Sequence, residues 1–137
     1  MQFTWKSAAP FVTSFLSATI AASASAVTIG ASGCASLNAA KNEVTKGAAL
    51  FQVNCISCHG PDGGGIIGPN LTDNFWIHGG LPINIHTTIT EGVVAKGMPP
   101  WGKMLKPEQV LSLTAYVISL HDTHPAKPKA PEGVKEP

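Results

Sequence analysis

The sequence predicts a small all-α domain, and three observations carry that prediction. Apolar residues recur at helical spacing in three separate segments, no segment alternates as a half-buried strand does, and the part able to fold is confined to residues 42–124 of 137. A segment of that size buries a thin core and is commonly reinforced by a metal, disulfides or a cofactor. Net charge is +1, and five lysines against six acids leave residues 41–124 at −1. No basic patch is visible, so nucleic acid is not an expected partner.

The first 40 residues carry a single charge, Lys6, and are dominated by Ala, Ser and Thr. Lys6, the apolar stretch Pro10–Ile20 and the small residues Ala24-Ser25-Ala26 follow the order of an export signal, with a cut after Ala26. A retained membrane helix is the alternative. The uncharged run is long enough to span, but its second half is too rich in Ala, Ser and Gly to enter hydrocarbon strongly. Ala31-Ser32-Gly33-Cys34 resembles a bacterial lipobox, in which the chain is cut before Cys34 and the thiol is acylated. Ala31 departs from that pattern, where Leu is usual. The lipobox gives the odd third cysteine a role, whereas a cut after Ala26 leaves it a free thiol. Either cut puts the folded part on the periplasmic side, lipid-anchored in the second case. The expected organisation is an export signal over 1–33, a tether over 34–41, the domain over 42–124 and a disordered Pro/Lys-rich tail over 125–137.

Within the domain, residues 42–53 (NEVTKGAALFQV) have a helical pattern, with Val44, Ala48 and Phe51 on one side and Leu50 beside them. Gly47 costs this helix about 1 kcal/mol relative to Ala, which points to a close helix crossing. Residues 82–90 (PINIHTTIT) read as a short helix opened by Pro82 and ended by Gly92. Pro107 and Glu108 open the last helix, whose apolar stripe is Val110, Leu113, Thr114, Val117 and Leu120, with Tyr116 and Ile118 alongside.

Between the first two helices lies Cys55-Ile56-Ser57-Cys58-His59. Two thiols three positions apart can add across the two vinyl groups of one haem, and the next residue then supplies an imidazole nitrogen to its iron. Covalent attachment keeps a haem in a domain too small to enclose it. A zinc site needs further ligands at matching spacing, and no second Cys pair exists. A thioredoxin-like pair needs a βαβ setting, and a structural disulfide leaves His59 without a role.

The order of these features resembles the class I c-type cytochrome family. The resemblance rests on Gly47 and Phe51 in a first helix, the CxxCH motif, Gly68-Pro69-Asn70-Leu71, Met98-Pro99 and an aromatic-bearing last helix, and it covers residues 44–121. Asn74-Phe75-Trp76-Ile77-His78-Gly79-Gly80 and Gly97-Met98-Pro99-Pro100-Trp101-Gly102 look more narrowly like the cytochrome domains of bacterial haem–copper oxidase subunits and related monohaem carriers. The resemblance implies three to five helices around one covalent haem c, held by Cys55 and Cys58, with His59 on the iron.

The family places a Met thioether opposite the histidine, and Met98 and Met104 are both within reach by distance along the chain. Met98 matches the Met-Pro position, and two prolines after it fix an extended backbone able to aim the sulfur. Met104 reads as a core filler or a lid on the haem edge. His78, His86, His121 and His124 are rival ligands; His86 reads as a boundary residue, His78 as lying near a propionate or solvent, and the last two as helix-end imidazoles. The Pro69 carbonyl is the implied acceptor for the other ring nitrogen of His59. Asp62-Gly63-Gly64-Gly65 is a loop able to pass close to the ring. Trp76 and Trp101 either donate indole N–H groups to propionates or pack in the core.

With His59 and Met98 both on iron no site is open, which implies one-electron transfer rather than enzymatic chemistry, and the resemblance implies that it serves a bacterial respiratory chain. The expected partners are redox proteins: an oxidase, a reductase or a quinol-oxidising complex. The alternative is a gas- or peroxide-reactive haem protein with a labile Met98.

Overall fold

The computed structural model describes residues 31–136, with side chains from Asn38 onward. Four α-helices form the frame: α1 (Ala31–Asn54), α2 (Ile56–His59), α3 (Pro82–Glu91) and α4 (Pro107–Leu120). Single 3₁₀ turns, Val94–Lys96 and Trp101–Lys103, link α3 to α4. Strands β1 (Phe75–Trp76) and β2 (Val134–Lys135) pair antiparallel, with Phe75 opposite Lys135 and Trp76 opposite Val134.

The α4 stripe explains the core. Val110, Leu113, Val117 and Leu120 are buried there and meet Phe51 from α1 with Ile85 and Ile89 from α3. These spacings put one side of each helix inward, and burial of such side chains supplies most of the favourable free energy. Phe51 also stacks at a tilt against Tyr116, with ring centroids 5.1 Å apart and planes at 59°. α1 crosses α4 at Gly47, where an added Cβ would run into the Ser112 carbonyl. The helix starts follow the chain chemistry as well: Pro82 and Pro107 occupy the first turns of α3 and α4, where a missing N–H costs nothing. Gly92, at φ 70°, ends α3.

Two expectations need correction. α1 runs unbroken through residues 34–41, where a tether was expected, because Ala-rich chain there continues the helical backbone already set by the packed turns. Residues 125–136 are ordered against the domain rather than disordered. Lys129 N–H donates to the Gly64 carbonyl at 2.8 Å, Glu136 N–H to the Asn74 carbonyl at 2.9 Å, and Gly80 N–H to Glu136 Oε2 at 2.7 Å. The frame is helical as expected, and the two-residue β1–β2 ladder that these contacts flank is a minor addition to it. Residues 1–30, with the export signal and the cut after Ala26, lie outside the described residues, and so does the side chain of Cys34. No helix among the described residues is long and apolar enough to cross a membrane.

Candidate haem-binding site

α2 is a single turn, and its backbone sets the donor groups. Cys55 N–H donates to the Phe51 carbonyl at 2.9 Å, and His59 N–H to the Cys55 carbonyl at 3.0 Å. The motif thereby continues the helical path of α1, and Cys55, Cys58 and His59 all turn to one cavity of about 730 Å³. That volume lies within the ~300–1,000 Å³ range of ligand sites. The chain then doubles back: Gly65 N–H reaches the His59 carbonyl at 2.7 Å, and the Ile66 and Gly68 N–H groups share the Cys58 carbonyl, both at 2.9 Å.

This return brings Pro69 beside the imidazole. Its carbonyl oxygen stands 3.1 Å from His59 Nδ1. A carbonyl only accepts, so Nδ1 carries the proton and Nε2 keeps its lone pair, which is the tautomer a metal needs. Burial depresses the His59 pKa, with the Lys129 charge a smaller cause in the same direction and the Pro69 carbonyl opposing both. A neutral ring is the ligating form. Gly68 is what allows the approach: a Cβ there would meet His59 Cε1 at 2.8 Å.

Met98 also lines the cavity; it is half-buried and its backbone is fixed by a two-way bridge to Val93, with N···O distances of 2.9 and 3.2 Å. Met104 is 64% exposed and lies off the cavity. Of the four other histidines only His78 borders the cavity, from an exposed position. Trp76 and Trp101 line it and also pack on the core. The Asp62–Gly65 loop does not reach the cavity; Gly63 packs against Leu120 and Gly64 against Pro125 instead. The close-passing glycine is Gly68, which the quoted Gly-Pro-Asn-Leu run contained but to which the sequence reading gave no role.

The rival chemistries fit less well. Burial, and then Cys58 beside it, pushes the Cys55 thiol up to about 11. Reactive dithiols have lowered values instead. The two thiols are not joined, and among the described residues no three His, Cys, Asp or Glu side chains converge as a metal cluster. A haem fits the donor set: two thiols, an imidazole and a thioether all border one cavity whose lining is otherwise largely apolar.

Comparison with known proteins agrees with this geometry. A family model described as "Cytochrome C oxidase, cbb3-type, subunit III" matches residues 42–117. The chain is 43% identical over 102 residues to the cbb3-type cytochrome c oxidase subunit FixP of Sinorhizobium medicae, covering 68% of this chain and 35% of that protein. It is 49% identical over 76 residues to subunit CcoP of Rubrivivax gelatinosus, covering 54% of this chain and 25% of that one. The chain thus spans about a third or less of the curated relatives it matches. Among solved structures, cytochrome cL of Methylophaga aminisulfidivorans aligns with a TM-score of 0.50 and 27% identity, covering 58% of this chain and 55% of that one. On the span and content of the family match, with its haem motif inside a four-helix class I cytochrome fold, this chain belongs to the cbb3-type cytochrome c oxidase subunit III family of c-type cytochromes.

Proposed function

We propose that the domain over residues 42–124 carries one haem c, joined to Cys55 and Cys58 and ligated by His59 and Met98, and that it passes single electrons in a bacterial respiratory chain. The observation that carries this reading is the convergence of those four side chains on one cavity, with His59 and Met98 lining it and the His59 tautomer set by Pro69. When bound, a haem so ligated supplies reversible Fe(III)/Fe(II) cycling at a potential above that of bis-histidine ligation. The chain's own residues do the rest. Pro69 orients the imidazole, the Val93–Met98 bridge holds the thioether segment, and Phe51, Ile85, Ile89, Leu113 and Val117 keep water from the cavity wall. Trp76 and Trp101 line the same cavity, and each has an indole N–H able to meet a propionate.

With no open coordination position, the domain acts as an electron carrier or transfer subunit and not as a catalyst. Its partners, by likeness to FixP and CcoP, are proteins of a cbb3-type oxidase or of the complexes that feed it. Contacts between such redox partners are small and transient unless both are held in one complex. The domain works on the periplasmic side, exported by the signal in residues 1–33 and held at the membrane by a lipid on Cys34; the mass of the mature chain distinguishes this from a start at Val27.

The ligand assignment is tested by comparing Met98→Ala with Met104→Ala. The charge-transfer band of iron–thioether ligation is expected to vanish in the first and persist in the second. Loss in Met104→Ala alone would overturn the assignment, and rapid CO binding by the reduced, undenatured protein would count against a closed carrier.

A further inference from the structure

The segment after α4 touches the cavity wall at the place that orients His59. Lys129 Nζ donates to the Ile67 carbonyl at 3.2 Å and to the Gly68 carbonyl at 3.4 Å, the two residues just before Pro69. The same ammonium pairs with Glu132 Oε1 at 2.6 Å, and Glu132 itself borders the cavity. The backbone around them is anchored at both ends, by Lys129 N–H on the Gly64 carbonyl and by the β1–β2 pair. Both side chains are about one-third exposed, at 32% and 39%, so water and salt weaken their fields without abolishing them.

We propose that Lys129 and Glu132 are positioning residues of opposite sign that set the reduction potential of the haem, an inference that rests on the haem reading above. A cation beside the proximal loop disfavours the more positive Fe(III) state, so Lys129 raises the potential; a carboxylate at the cavity edge favours Fe(III), so Glu132 lowers it. The pair holds the potential between two limits while the hydrogen bonds to Ile67 and Gly68 keep the Pro69 carbonyl in place.

The test is a spectroelectrochemical titration of the full haem-loaded chain and of Lys129→Gln, Glu132→Gln and Lys129→Arg. At the wild-type midpoint, Lys129→Gln is expected to raise the oxidised-to-reduced ratio about twofold to threefold, and Glu132→Gln to lower it by a similar factor. Lys129→Arg keeps the charge and stays near wild type. A merely mechanical clasp moves Lys129→Gln and Glu132→Gln in the same direction or not at all, and either result overturns the proposal. Where Lys129→Gln fails to fold, the upward shift of Glu132→Gln and the null shift of Lys129→Arg still decide it. Absence of covalent haem in the wild-type chain, seen by haem staining after denaturation, overturns the underlying reading instead.

Discussion

Glu43 shows how a single exposed carboxylate can report on helix packing. Its Oε2 accepts from Ser112 Oγ on α4 at 2.5 Å, and its Oε1 from Lys46 Nζ at 2.7 Å. Lys46 first and Ser112 second hold its pKa below the ordinary glutamate range. A depressed folded-state value means the stabilisation is present above the unfolded pKa and is lost as pH falls through the folded one. Glu43→Gln is therefore expected to be slightly less stable than wild type at neutral pH, with the difference fading below the carboxylate range. Denaturant midpoints for both proteins at pH 7 and in acid check this, and a gap that persists in acid would show that charge is not the cause. The residues that carry the proposed chemistry are of another kind. Cys55, Cys58 and His59 were legible in the sequence because their function demands fixed spacing. Gly68 and Lys129 were not, since what matters about them is proximity across the fold.

At the scale of elements, the α1–α4 crossing is set by Gly47. Alanine there gains about 1 kcal/mol in helix propensity. Its methyl group, however, meets the Ser112 carbonyl and Tyr116 Cβ, and a carbonyl on a packed helix cannot swing aside as a side-chain tip can. The overpacking cost, at or above the upper end of about 1–3 kcal/mol, exceeds the gain. Gly47→Ala is expected to lower the melting temperature, and a rise would mean that the helices separate there at little cost. Both α3 and α4 were readable because each has to bury a stripe at helical period, which the positions of Ile85, Ile89, Val110, Leu113, Val117 and Leu120 record. The first turns of α1 carry no such stripe, as Ala, Ser and Asn give no apolar period to detect. β1 and β2 were missed for a related reason: two residues are too few to alternate, and each is defined by its partner strand, with Phe75 opposite Lys135 and Trp76 opposite Val134, rather than by its own side chains.

For the molecule as a whole, the question is whether residues 125–136 fold with the core or as a separate layer over it. Their anchors are backbone hydrogen bonds, a partly exposed ion pair and a two-residue ladder, and neither Val134 nor Lys135 is buried. Composition rich in Pro and Lys therefore misled the sequence reading, because this layer needs no apolar stripe to be held. Segments with few buried contacts open at lower free energy than the core they cover. Gly133 is the weak point, with φ at 104° and its α-carbon pressed so close to the Trp76–Ile77 peptide that no Cβ fits. A valine there costs about 1–3 kcal/mol in backbone strain alone. Gly133→Val is expected to release the layer: in hydrogen exchange, the Lys129 and Glu136 amides lose protection while the amides of α4 keep theirs. Equal loss across α4 would instead show that the layer and the helical core form one cooperative unit, and that the cavity wall at Gly68 depends on the strap for its shape.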